Sequence, residues 1–313
     1  LHDALPISFN DDGGNDTPVT ATPFNDIFAA RAGMSSIDGG DGTDTVVLTG
    51  SQSDYTLVIG PDTVTVTDKR SDGLGTLELT NIEQIDFGTA LASGADAGPL
   101  DITQFNGFSD LTEEEFGAFV EMYIAYFNRA PDALGLAFWA TAYARGTTLE
   151  EMAELFLDQD ETRDAYPEDL LTVRFVAEVY NNVLGRNPDL EGLQFWREAL
   201  DSGQVGHDEF ILEVLGGVDA QPPSNASQAF VSQQRADQDF LQQKTDIGML
   251  FAVERGMSDV ADAASIMGLL DGSDESLQSA VAAIEAAYSD ALDPEAGAFL
   301  MPLVGVLEPT FDV

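Results

Sequence analysis

Three consecutive nonapeptides, ATPFNDIFA, ARAGMSSID and GGDGTDTVV, run from residue 21 to residue 47 and hold the residues best placed to do chemistry. Their sixth positions are Asp26, Ser35 and Asp44, their fourth Phe24, Gly33 and Gly42, and their eighth Phe28, Ile37 and Val46. Carboxylates recurring at the end of glycine-rich turns suit a hard divalent cation, because glycine reaches positive φ and turns main-chain carbonyls toward the metal. Other metal chemistry is poorly provided for. There is no cysteine, and His2 and His207 are the only histidines, so thiolate sites, histidine-rich sites and disulfides are excluded. His207 is expected at an exposed helix start. The stretch GGDGTD lacks the Lys-Ser/Thr ending of a phosphate-binding loop. With 56 acidic residues, carboxylate pairs arise everywhere and nominate no glycosidase site.

The third nonapeptide fits GGxGxDxUx at every specified place, and the three in register resemble the RTX, or haemolysin-type, calcium-binding repeat. The resemblance implies a β-roll in which each nonapeptide gives one turn and one short strand, successive strands lie on opposite sheets, and alternate turns stack. Asp26 and Asp44 then share one edge with Gly40 and Gly42, and Ser35 lies alone on the other, so at most one calcium site is expected. Ala21, Thr22 and Phe24 depart from the pattern in the first turn. Two outcomes are open: one calcium ion at Asp26 and Asp44, or a calcium-free roll end that keeps only its apolar ladder.

Period-two stretches at residues 55–59 and 64–67, joined by Gly-Pro-Asp, predict two strands. With LTNIEQIDF they resemble the β-rich segment that closes such rolls and covers the exposed last strand. Asp68, Lys69 and Arg70 read as an exposed turn. Residues 94–112, rich in Gly, Ala, Ser and Asp, read as a linker.

A second repeat has a period of 57 residues: YIAYFNRAPDALGLAFW, beginning at Tyr123, matches YNNVLGRNPDLEGLQFW, beginning at Tyr180. Each copy predicts a helix, a break at Arg-x-Pro-Asp, a helix around Gly-Leu-x-x-Trp, and a third helix after Thr148 or Asp208. Proline suits a first helical turn, and Asn187 reads as the cap before Pro188, with Ala130 a poor counterpart. Arg129 and Arg186 are expected to tie the breaks to carboxylates or carbonyls. Trp139 and Trp196 are expected in equivalent buried positions. Residues 113–217 resemble domain of unknown function 4214, distantly similar to phycobilisome linker domains. That resemblance implies a helical bundle and no activity.

Beyond Val218 three helices are expected near 230–253, 258–270 and 276–290, with Ser258 and Ser273 as caps. The apolar tail from Asp293 to Val313 resembles a C-terminal type I secretion signal. Leu1 to Ser8 resemble translated adapter sequence and are set aside as an artefact, and the N-terminus is read as truncated, with any signal or further repeats upstream out of view. The divisions are thus 9–93 for the roll end and β cap, 94–112, 113–217 and 218–313.

The net charge of −44 disfavours nucleic acid and anionic membrane as partners, and no apolar run is long enough to span a bilayer. The expected fold class is multidomain α+β, a short parallel β-roll remnant with a β cap followed by an all-α repeat bundle. The expected function is an extracellular, calcium-associated, non-catalytic structural or interaction protein acting on a cell-surface or matrix polymer or protein. The alternatives are a fragment of an extracellular enzyme with its catalytic domain upstream, and an intracellular linker-like scaffold.

Overall fold

The computed structural model describes residues 21–60, 62–88, 98–108, 111–167 and 169–303. The apolar eighth positions build the first layers. Strands β1 (Ile27–Ala29), β2 (Ser36–Asp38) and β3 (Thr45–Leu48) are centred on, or carry, the fully buried Phe28, Ile37 and Val46. β1 pairs in parallel with β3, Phe28 opposite Val46, whereas β2 joins the other sheet. Strands two nonapeptides apart therefore share a sheet, the alternation a roll requires.

The following segment extends both layers. Alternating burial in β4 (Tyr55–Ile59), β5 (Val64–Asp68) and β6 (Thr76–Thr80) turns one face of this antiparallel meander inward, and β6 lies parallel to β2. β7 (Gln84–Phe87) lies parallel to β3 and accepts β8 (Leu100–Asp101) on its far side. The sheets run β1-β3-β7-β8 and β2-β6-β5-β4.

The stretch read as a linker is packed where it is described. β8 belongs to it, and the Ile102, Phe105 and Phe108 side chains are buried. Gly107 donates its N–H to Thr141 in the helical part, joining the two layers.

Helices follow, so the fold is α+β. The first unit comprises α1 (Glu113–Phe127), α2 (Ala133–Ala144) and α3 (Leu149–Leu157). After the short α4 (Asp160–Ala165), the second comprises α5 (Thr172–Leu184), α6 (Leu190–Asp201) and α7 (His207–Asp219). His207 is exposed at the first position of α7 and meets the Phe175 ring edge to face at 4.5 Å. The long α8 (Gln228–Met249) packs on α1 and α5 and ends in a π-helical turn, Leu250–Glu254; α9 (Val260–Met267) and α10 (Asp274–Ala291) complete the chain's helices among the described residues. Ser273 caps α10 as expected, but Asp259, not Ser258, caps α9. No helix among the described residues is long and apolar enough to cross a membrane.

Asp68, Lys69 and Arg70 do not form an exposed turn. Asp68 is buried and accepts two hydrogen bonds from the Arg70 guanidinium, which also reaches the Thr49 carbonyl and the Tyr55 hydroxyl. Lys69 Nζ donates to the carbonyls of Ala291 and Ala298, each at 2.6 Å. The tail beyond them forms a strap. Leu300 and Leu303 bridge in parallel to Thr56 and Ile59 on the outer edge of β4, and Met301 donates to the Gly256 carbonyl at 2.8 Å. An open sheet edge is a template for unwanted pairing, and the strap covers this one. The tail expected to carry an export signal is thus buried at Leu300, Met301 and Leu303; residues 304–313 lie outside the described residues.

Candidate metal centre

Asp26 and Asp44 do share one edge of the roll. The first and third turns stack so closely that the Asp26 N–H donates to Asp44 Oδ1 at 2.7 Å, and the Thr43 N–H to Asn25 Oδ1 at 3.0 Å. Gly40 and Gly42 take φ of +77° and +143°, the left-handed values that glycine permits. A Cβ on Gly42 would lie 2.8 Å from the Phe24 carbonyl group, so the stacking itself requires glycine there.

The two carboxylates have different partners. Asp26 is spent within its own turn, accepting from the Thr22 N–H at 2.7 Å and the Thr22 hydroxyl at 2.9 Å. Asp44, wholly buried, keeps Oδ2 without a hydrogen-bond partner. That oxygen packs against Gly39, where a Cβ would run into both it and the Asn81 carbonyl oxygen, so the close approach of the turns requires glycine there. The turn containing Asn81 is the next in the stack, because β7 follows β3. It also supplies Glu83, whose carboxylate accepts the Asp44 N–H at 2.7 Å, while Asn81 Nδ2 donates to Asp38 at 2.8 Å.

Electrostatics leave this corner short of positive charge. Burial raises the Asp44 pKa first; the Asp26 N–H opposes it, and the charges of Glu83, Asp26 and Asp38 add to it. A buried, unpartnered carboxylate oxygen next to a main-chain carbonyl fits a hard cation. Among the described residues no three acidic or histidine side chains gather for a metal ion, so calcium here would draw on carbonyls and water besides Asp44. The Asn81–Glu83 contribution was not foreseen, since it lies outside the nonapeptides.

The helical units are built to one plan. Asp132 and Asp189 cap α2 and α6, each accepting the N–H of the glycine three residues on, Gly135 or Gly192, at 2.7 Å. Asn187 and Ala130 are therefore not the caps. Pro131 and Pro188 stand just before the aspartates, where they hold the preceding residue extended. Arg129 forms a bidentate pair with Glu161 at 2.7 and 2.8 Å and stacks over Tyr123 and Phe127. Arg186 repeats the fork on Asp237 at 2.8 and 2.6 Å and lies over Tyr180.

Trp139 and Trp196 are equivalent, packing on Phe156 at 5.2 Å and Phe210 at 4.9 Å, with Trp196 Nε1 donating to the Tyr180 hydroxyl. Both are half-buried and pack against the core, not buried as expected. The family model described as Domain of unknown function (DUF4214) matches residues 153–217. The matched stretch runs from the end of α3 through α4, α5 and α6 and into α7 as far as Gly217. No RTX repeat family is detected in the chain, and no curated protein and no solved structure matches it.

The second unit packs on the first through α1, α3, α5 and α7, and one lysine joins the ends of α1 and α5. Lys244 of α8 is buried, and Nζ donates to Asn128 Oδ1 and to the Asn182 carbonyl, near the C-terminal ends of α1 and α5. Helix C-termini favour a cation, but burial still pulls the Lys244 ammonium down to about 7. An unfolded lysine titrates near 10.4, so between these values the unfolded chain binds more protons and stability rises with pH. Urea unfolding of wild type and Lys244→Met from pH 6.5 to 9.5 should show the difference moving in favour of wild type, by at most about 1.4 kcal/mol per pH unit. A pH-independent difference would contradict this placement of the charge.

Proposed function

We propose that the chain is an extracellular, non-catalytic structural or interaction protein whose N-terminal roll is closed by calcium. The observation that carries this reading is the buried, unpartnered Asp44 Oδ2 facing the Asn81 carbonyl between stacked turns. A divalent cation there offsets the repulsion among Asp44, Glu83, Asp26 and Asp38 and ties the last nonapeptide turn to the β cap. Calcium is abundant outside cells and scarce within, so a roll that needs it closes after export. The charge of −44 suits the same setting, keeping the chain soluble and directing it to basic surfaces or cation-bridged polymers.

The helical units supply a rigid body with no catalytic constellation in this reading, and the partner is a cell-surface or matrix polymer or protein. Thermal unfolding in millimolar calcium and in excess chelator tests the proposal. Calcium should raise the unfolding temperature of the β-rich part, read by near-ultraviolet circular dichroism; superimposable transitions would refute it. Fractionating a native culture separates this role from an intracellular scaffold, which stays with the cells.

A further inference from the structure

The strap and its seat are complementary surfaces joined through a short loop. Leu300, Met301 and Leu303 of the strap are buried, so an unseated strap is costly in water. Its main chain is bonded on both sides: Leu57 of β4 donates to the Leu300 carbonyl at 2.8 Å, and Leu303 donates to the Val253 carbonyl at 2.9 Å. Within its sheet β4 pairs with β5 alone, so only the strap covers its outer edge.

Residues 292–297 connect the strap to α10, and the ends of this loop are folded back on each other. The Ala298 N–H donates to the Ala291 carbonyl at 3.1 Å. Lys69 pins the same two ends, because Nζ donates at 2.6 Å to the Ala291 carbonyl on one side of the loop and to the Ala298 carbonyl on the other. Gly297 lets the loop close this tightly. A Cβ there would run into the Ala291 and Asp293 carbonyl oxygens and lie 2.8 Å from Lys69 Nζ. Gly297 is not at positive φ, so the close approach and not the backbone angle calls for glycine.

Opened, a loop of this length reaches about 20 Å. A second copy that opens in the same way offers an identical seat. Reciprocal exchange of the two straps restores the buried side chains and edge bonds of the closed form, and only the loop differs, which is the low-cost route to a symmetric dimer. Pairing of two bare β4 edges is the poorer outcome, since it leaves Leu300, Met301 and Leu303 in water.

We infer that the strap is exchangeable between two copies of this chain, and that Lys69 keeps it on its own β4. The net charge of −44 on each copy opposes their encounter, so salt favours the exchange.

The test is to unfold and refold wild type, Lys69→Met and Gly297→Ala at high protein concentration and high salt, and to read the mass by light scattering. Wild type should return mainly as monomer and both variants as dimer, with the dimer favoured about tenfold or more in Lys69→Met, the equivalent of one charged hydrogen bond. Gly297→Ala leaves the strap, its seat and Lys69 unaltered, and carries the test if Lys69→Met fails to fold. Carbon-13-labelled and unlabelled chains of a variant are then refolded together, and isotope-filtered contacts should appear between Leu303 of one chain and Ile59 of another. Folded, monomeric variants, a dimer whose Leu303 and Ile59 contacts stay within one chain, or a wild type that dimerises as readily as Lys69→Met would each overturn the inference.

Discussion

Arg129→Ala is expected to destabilise the helical bundle by about 3 kcal/mol, and Arg186→Ala by about half as much. The two residues occupy the same place in their units but not the same surroundings. The Arg129 side chain is 6% exposed and its partner Glu161 is 41% exposed; the Arg186 side chain is 33% exposed and its partner Asp237 is 8% exposed. Removing Arg129 takes away a bidentate pair, a bond to the Ala130 carbonyl and two ring faces at once. Removing Arg186 strands Asp237, but Gln233 still donates to that carboxylate at 2.9 Å. Arg129→Lys should recover little, since an ammonium has no planar fork to match the carboxylate. Urea unfolding followed by circular dichroism checks the order, and equal losses below about 1 kcal/mol would contradict the buried fork.

The second large effect concerns Asp44 and changes sign with calcium. Without metal at neutral pH, the buried carboxylate is opposed by Glu83, Asp26 and Asp38, so Asp44→Asn should make the chelated protein more stable. The pH dependence follows from the raised pKa. A carboxyl that titrates higher when folded holds its proton better in the native state, so its contribution is present in acid and lost as pH rises through the folded value. With calcium the order reverses. Wild type gains about 2.7 kcal/mol when free calcium exceeds the dissociation constant a hundredfold, and the asparagine variant gains little.

Much of this organisation was legible in the sequence for identifiable physical reasons. The apolar eighth positions are a strict ladder, and the resemblance to the RTX repeat carried by that ladder implied the alternation of β1 to β3 between sheets. The runs at 55–59 and 64–67 gave β4 and β5 nearly to the residue, because one buried face forces alternation. The 57-residue repeat located the helix breaks through Asp132 and Asp189, although the proline preference for a first turn misassigned the caps.

What was not legible joins residues across large separations with no shared period. Arg129 finds Glu161 in the short helix after its own unit, whereas Arg186 finds Asp237 in α8, so the repeat does not repeat its acids. Lys69 looked like a turn residue, and only the folded chain brings it to Ala291 and Ala298. At the candidate metal centre the nonapeptides pointed to Asp44 but not to Asn81 and Glu83, which reach it because β7 continues the stack begun by β1 and β3.

The most direct measurement is calorimetric titration of calcium into the chelator-treated wild-type chain and into Asp44→Asn. The account predicts one saturable site per wild-type chain that is absent from the variant. Identical heats for the two proteins would contradict it.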